Sequence, residues 1–178
     1  MTEEYIIYLT HLLRCAVTGE KADDMPLDID AKEFFELCAS HKVENIAYYA
    51  LKETDVSNIP AEVWAQFEES YMRAVAIEAA QQYYLELIEA IFEKEGIDYL
   101  VLKGREIAKL YPSSDMRQSS DFDIYIGRET AKKGRDIMLR NGFEILAYGD
   151  DNDCHDEYVI DNRIMCELHR VLIQDDQP

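Results

Sequence analysis

The chain has 178 residues, enough for one compact domain or one domain with a helical appendage, and too few for two full-sized domains. Its 18 Lys and Arg against 37 Asp and Glu give a formal net charge of −19, which argues against unaided, sequence-blind adhesion to nucleic acid or anionic lipid while leaving room for a local basic cleft. With 48% hydrophobic and 11% aromatic residues the chain can bury a core, so global disorder is excluded.

From the N-terminus, Tyr5, Leu9, Leu12, Leu13 and Ala16 fall on one stripe of 3.6-residue period and predict a short amphipathic helix over about residues 3–17. A polar, turn-rich stretch from Gly19 to Pro26 follows. Asp30 and Glu33 then form a capping-box-like start for a helix carrying Phe34, Leu37 and Cys38. Val43, Ile46, Ala47, Ala50 and Leu51 give the next stripe. A loop from Thr54 to Ile59 ends at Pro60, and from there to Glu95 the sequence is almost free of helix breakers, predicting one long helix or two with a kink.

Gly96 closes that helical half, and short apolar runs bounded by turns take over: Tyr99–Leu102, Phe122–Ile126, Phe143–Tyr148, Tyr158–Ile160 and Ile164–His169. These predict five strands. Between them Arg105–Leu110 predicts a short helix and Glu129–Asn141 a longer one, stopped by Gly142 at a favoured capping position. Asp161-Asn162 is a tight-turn signal that makes the last two strands a hairpin. The expected fold is α+β, with a helical region over residues 1–95 and a small α/β region over residues 96–178.

Four scattered cysteines, Cys15, Cys38, Cys154 and Cys166, and no positively charged leader followed by an apolar run predict a reduced, cytoplasmic protein. No apolar run approaches the ~20 residues of a membrane span, so a soluble protein with no membrane partner is expected. Charge divides with the elements: residues 1–95 hold 7 basic and 20 acidic side chains, residues 101–145 hold 9 and 7. Any polyanionic ligand would therefore be met in the α/β region, although most of the group from Arg128 to Arg140 reads as solvated helix face.

Chemistry concentrates in Ser119-Ser120-Asp121-Phe122-Asp123-Ile124-Tyr125-Ile126. On a strand, Phe122, Ile124 and Ile126 face the core while Asp121, Asp123 and Tyr125 share the other face. Two ionised carboxylates side by side repel unless a divalent cation lies between them, and oxygen ligands of this kind suit Mg²⁺ or Mn²⁺. An Asp-x-Asp pair alone fits equally well a half-exposed strand with acidic side chains in solvent. Two further features weigh on the choice. Tyr99-Leu100-Val101-Leu102-Lys103-Gly104 runs from a strand into the head of a helix, where free amides can hold phosphate and Lys103 adds a charge. In Met165-Cys166-Glu167-Leu168-His169, Glu167 and His169 share a face, and Glu167 becomes a third carboxylate if that strand neighbours the first.

Cys154, His155, Cys166 and His169 could suggest zinc, but Cys166 and His169, three apart, point to opposite faces of a strand and the set lacks close ligand pairs. Cys166 reads as a core residue. His169 reads as a base beside Glu167 or as a structural histidine. His155 falls in an acidic loop, Gly149–Glu157, and receives no role. Neither a G-x-x-x-x-G-K nor a G-x-G-x-x-G stretch occurs, which leaves P-loop and dinucleotide folds unsupported.

The ordered set Leu102-Lys103-Gly104, Arg117 before Asp121-Phe122-Asp123, and Glu167-Leu168-His169 resembles an uncharacterised bacterial nucleotidyltransferase-like family within the DNA polymerase beta-type superfamily. Tyr111-Pro112 and Ala39-Ser40-His41-Lys42-Val43 resemble its pattern too. The resemblance runs from about Asp30 to Leu172. It implies a minimal nucleotidyltransferase fold, a mixed sheet of about five strands with flanking helices, in which Asp121, Asp123 and Glu167 are catalytic and hold Mg²⁺ or Mn²⁺. It also implies phosphate contacts from Gly104, with Lys103 and Arg117 assigned by charge, and transfer of a nucleotidyl group from a nucleoside triphosphate, ATP first among them, to an acceptor that the sequence does not name. A long nucleic-acid acceptor sits poorly with the −19 charge.

Two departures stand out. Arg105 follows the motif glycine where the superfamily usually has a small hydroxyl residue, and the sequence ends soon after the third carboxylate, at Gln174-Asp175-Asp176-Gln177-Pro178, where the family generally continues into a helical region. The expectation is a truncated form or a short variant. Both departures motivate the alternative of a non-catalytic module that binds nucleotide or protein on the same fold.

Overall fold

The computed structural model describes residues 3–147 and 154–172. Helices α1 (Glu3–Thr18), α2 (Ala31–Ser40), α3 (Glu44–Leu51) and α4 (Ala61–Glu95) come first. They are followed by β1 (Leu100–Val101), α5 (Lys103–Ala108), a 3-10 turn (Ser114–Met116), β2 (Asp121–Tyr125), α6 (Ala131–Arg140), β3 (Glu144–Ala147), β4 (His155–Ile160) and β5 (Ile164–His169). The fold is α+β, with the helical elements first and the sheet second. Among the described residues no helix is long and apolar enough to cross a membrane.

The elements group into two compact units, and α4 contributes to both. The first unit takes the chain up to Ala76 together with Ala108–Gln118. Its core is built from the stripes of α1 to α4, with Leu12, Phe34, Leu37, Leu51 and Phe67 fully out of solvent. The Asp30 carboxylate caps α2, accepting from the amides of Lys32 at 2.9 Å and Glu33 at 3.0 Å, which satisfies donors that a helix start otherwise leaves unpaired. Met116 joins this core, and Asn45 and Tyr49 of α3 hold the turn before β2 through the Asp115 carbonyl (2.7 Å) and carboxylate (2.9 Å).

The second unit takes Ile77–Ile107 and the described residues from Ser119 onward. Its sheet has the strand order β1-β2-β5-β4-β3, in which β2 and β5 pair in parallel and the other neighbours are antiparallel. Phe122 and Ile124 of β2, Tyr158 of β4, and Cys166 and Leu168 of β5 are buried with Leu85, Ile88 and Phe92 of α4 and Ile137 and Met138 of α6. One sheet face is thus the core. The alternate residues of the same strands are half-buried and form the other face.

Several boundaries differ from the sequence-based expectation. The short helix starts at Lys103 rather than Arg105, because β1 ends at Val101. β4 begins at His155, three residues before Tyr158, since its antiparallel pairing with β5 continues to the pair His155 and His169. His155 is therefore a strand residue, which corrects its placement in a loop. Tyr148 and the rest of the acidic stretch up to Asp153 lie outside the described residues, as do residues 173–178. The run after Pro60 is one continuous helix. Arg135, read as a solvated cation, instead makes a two-pronged contact with the buried Asp156 carboxylate at 2.9 and 3.2 Å, joining α6 to the sheet.

Candidate functional site

The site follows from strand alternation and one register. In β2, burial of Phe122 and Ile124 in the core leaves Asp121, Asp123 and Tyr125 on the opposite face. In β5, burial of Ile164, Cys166 and Leu168 does the same for Met165, Glu167 and His169. The parallel register sets Asp123 opposite Glu167 and Tyr125 opposite His169. On the other flank, β4 sets Glu157 opposite Glu167 and His155 opposite His169. Three adjacent strands thus present Asp121, Asp123, Glu167, Glu157, His155 and His169 on one face.

His169 lies between two carboxylates. Its Nε2–H donates to Asp123 Oδ1 at 2.9 Å, and the same nitrogen is 3.2 Å from Glu167 Oε2. His155 Nε2 stands 3.7 Å from Glu167 Oε2 and 3.5 Å from Glu157 Oε1, and the two imidazole rings are 5.0 Å apart between centroids. The Ser119 hydroxyl donates to Asp121 Oδ1 at 3.1 Å. Burial pushes the Glu167 carboxyl above the usual range; His155 opposes that shift, the Asp123 and Asp121 charges add to it, and His169 opposes it in turn.

The Leu102 amide donates to the Asp123 carbonyl at 2.9 Å, so the chain entering Lys103 and Gly104 is fastened to the strand that carries the aspartates. Gly104 is buried as the second residue of α5. The Lys103 backbone opens that helix, while its side chain lies outside the described residues. Arg105 is buried and turned toward α4: its guanidinium pairs with the Glu78 carboxylate, with Nη2 at 2.8 Å from Oε1, and bonds Gln82 Oε1 at 2.6 Å. Arg117 belongs to the first unit, directly after the Ser114–Met116 turn, and the carboxylates belong to the second.

Of the cysteines weighed for zinc, Cys166 is fully buried on the core face, where desolvation drives its thiol well above the ordinary range, so it faces away from His155 and His169. The residues that sequence reasoning missed are His155 and Glu157. Their signal was present in the hairpin. Counting back from the three-residue loop 161–163 pairs 160 with 164, 157 with 167 and 155 with 169, whereas a two-residue turn at Asp161-Asn162 would pair 160 with 163 and put His155 on the other face.

Residues 28–178 match the sequence model of a family described as uncharacterised nucleotidyltransferase. No curated protein matches the chain.

Proposed function

We propose, since the chain belongs to this uncharacterised nucleotidyltransferase family, that it transfers a nucleotidyl group from a nucleoside triphosphate to an acceptor hydroxyl with release of pyrophosphate. Asp121, Asp123 and Glu167 are the catalytic carboxylates of this reading and its metal ligands. The observation that carries it is the parallel register that sets Glu167 beside Asp123 on the face bearing Asp121.

The donor set fits a hard divalent cation, Mg²⁺ or Mn²⁺. Carboxylates from two neighbouring strands meet on a half-buried face, and their mutual repulsion contributes to the raised Glu167 pKa. Bound there, the cation supplies charge neutralisation for the triphosphate and activation of the acceptor hydroxyl. The chain's own residues hold the geometry. Ser119 orients the Asp121 carboxylate, His169 fixes that of Asp123, and the Leu102 amide anchors the turn into Gly104. Gly104 and neighbouring amides contact phosphate, with charge from Lys103. The acceptor oxygen bonds to the α-phosphorus as the α–β bridging bond breaks; pyrophosphate leaves and the hydroxyl proton passes to the carboxylate cluster.

ATP is the first donor to test, and the −19 charge favours a protein or small-molecule acceptor over long nucleic acid. The test is incubation with ATP labelled at the α- or the γ-phosphate, Mg²⁺ and candidate acceptors. Nucleotidyl transfer leaves the α-label on the acceptor and the γ-label in pyrophosphate, and is abolished in Asp123→Asn. Transfer of the γ-label instead would overturn the reading.

A second reading has its own observation. Arg105, the residue after the motif glycine, is engaged by Glu78 and Gln82. If the missing hydroxyl at that position removes catalysis, the chain is a nucleotide-binding module, and it binds triphosphate with metal but transfers no label.

A further inference from the structure

We propose that His155, Glu167 and His169 form a binding site for a borderline divalent transition cation of the Zn²⁺ or Co²⁺ type, distinct in donor chemistry from the oxygen ligands assigned to Mg²⁺. The site shares Glu167 with the proposed catalytic carboxylates but does not depend on nucleotidyl transfer.

The geometry comes first. One imidazole nitrogen from each histidine and one Glu167 oxygen all lie within 4.8 Å of one another. Tetrahedral ligands at about 2.0–2.2 Å from a cation lie roughly 3.3–3.6 Å apart, so side-chain rotations that draw the three atoms together by up to about 1.5 Å close the cluster. The backbones already hold the three residues in place, because His155 and His169 are directly paired across β4 and β5 and Glu167 is two residues before His169 on the same face. A site built on paired strands is positioned more firmly than one on a loop.

The chemistry comes second. Two imidazoles and one carboxylate suit Zn²⁺, Co²⁺ and Ni²⁺, whereas Mg²⁺ takes oxygen ligands and keeps its waters. Side-chain exposures of 33% for His155, 21% for Glu167 and 16% for His169 leave the cluster open on one side, so positions remain for water or a phosphate oxygen. Ligation through His169 Nε2 would replace its hydrogen bond to Asp123 Oδ1, now 2.9 Å long, with a bond to the cation. The neighbouring charges come from three adjacent strands of the face: Glu157 on β4, Glu167 on β5, and Asp121 and Asp123 on β2. That negative surround favours a dication.

The test uses the full chain without an affinity tag, titrated with Co²⁺ and followed by its visible d–d absorption. The expected result is a saturable band at one equivalent that persists in excess Mg²⁺. Affinity should fall at least about tenfold in His155→Gln and in His169→Gln. His41→Gln, an exposed histidine at the end of α2, should leave it unchanged. Circular dichroism checks that each variant is folded, and Zn²⁺ should displace Co²⁺ and bleach the band. Asp121→Asn separates the two readings, since it should retain the cobalt band while losing Mg²⁺-dependent triphosphate binding. A missing band, a band removed by Mg²⁺, or a folded His155→Gln protein with unchanged affinity would overturn the proposal.

Discussion

His169 Nε2 lies 2.9 Å from Asp123 Oδ1 across the parallel pair β2 and β5 and 3.2 Å from Glu167 Oε2 on its own strand. One imidazole therefore compensates two carboxylates that the register forces together. Charge-assisted hydrogen bonds of this kind contribute more than neutral ones.

Removing that imidazole should expose the repulsion. His169→Ala is expected to destabilise the chain by about 1–3 kcal/mol, measured by urea unfolding. Mg²⁺ at millimolar concentration should recover more of the loss than it adds to the wild type, because the cation then lies between carboxylates that have lost the imidazole donor. Equal effects of Mg²⁺ on both proteins would mean that the carboxylates do not share a cation.

Arg105 gives a second prediction. Its side chain is 8% exposed and that of Glu78 15%, so truncating the arginine leaves a carboxylate with little access to water. Breaking a buried pair from one side costs about 3–5 kcal/mol. Arg105→Ala should show a loss of this size in urea unfolding. Arg105→Lys should be intermediate, because an ammonium cannot reproduce the forked contact with Glu78 and the bond to Gln82 at once. Replacing Arg105 and Glu78 together by Met should recover most of the loss.

Cys38 supplies a pH prediction. Burial in the first unit pushes its thiol from 9.0 up to about 12, with the Glu44 charge adding to the shift. At pH 8 the native thiol is protonated and should react with a thiol reagent only through unfolding. Between pH 9 and 12 the unfolded thiol ionises while the native one does not. The unfolded state then binds fewer protons, and stability falls as pH rises, by up to about 1.4 kcal/mol per unit from this group. Cys38→Ala should show a correspondingly shallower decline, read from unfolding curves between pH 9 and 11.

The sequence made the helical half and the strand faces legible, and the reasons are local. The 3.6-residue stripe of α1, the Asp30 cap and the breaker-free run after Pro60 each follow from short-range chemistry, as does the alternation that sets Asp121 and Asp123 apart from Phe122 and Ile124. Asp161 and Asn162 adopt φ of +54° and +58°, the left-handed region that Asp and Asn tolerate better than most residues, so the hairpin was readable too. What stayed hidden depends on partners distant in the chain. That β5 lies beside β2, bringing Glu167 to Asp123, is a matter of sheet order, which strand alternation left as a condition and only the family resemblance implied. The engagement of Arg105 by Glu78 needs α4 to run alongside α5. His155 was obscured by its acidic surroundings, and its face depends on the three-residue loop that sets the hairpin register.

The most direct test of the central claim is thermal unfolding of the wild type and of Asp123→Asn, each with Mg²⁺ and ATP at about a hundred times the dissociation constant. Binding at that level stabilises by ~2.7 kcal/mol, which at about 2–4 °C per kcal/mol raises the wild-type midpoint by roughly 5–11 °C. The account predicts this shift only when metal and triphosphate are both present, and its loss in Asp123→Asn. An equal shift in the variant, or no shift with ATP or any other triphosphate, would contradict a metal-dependent nucleotide site at Asp121, Asp123 and Glu167.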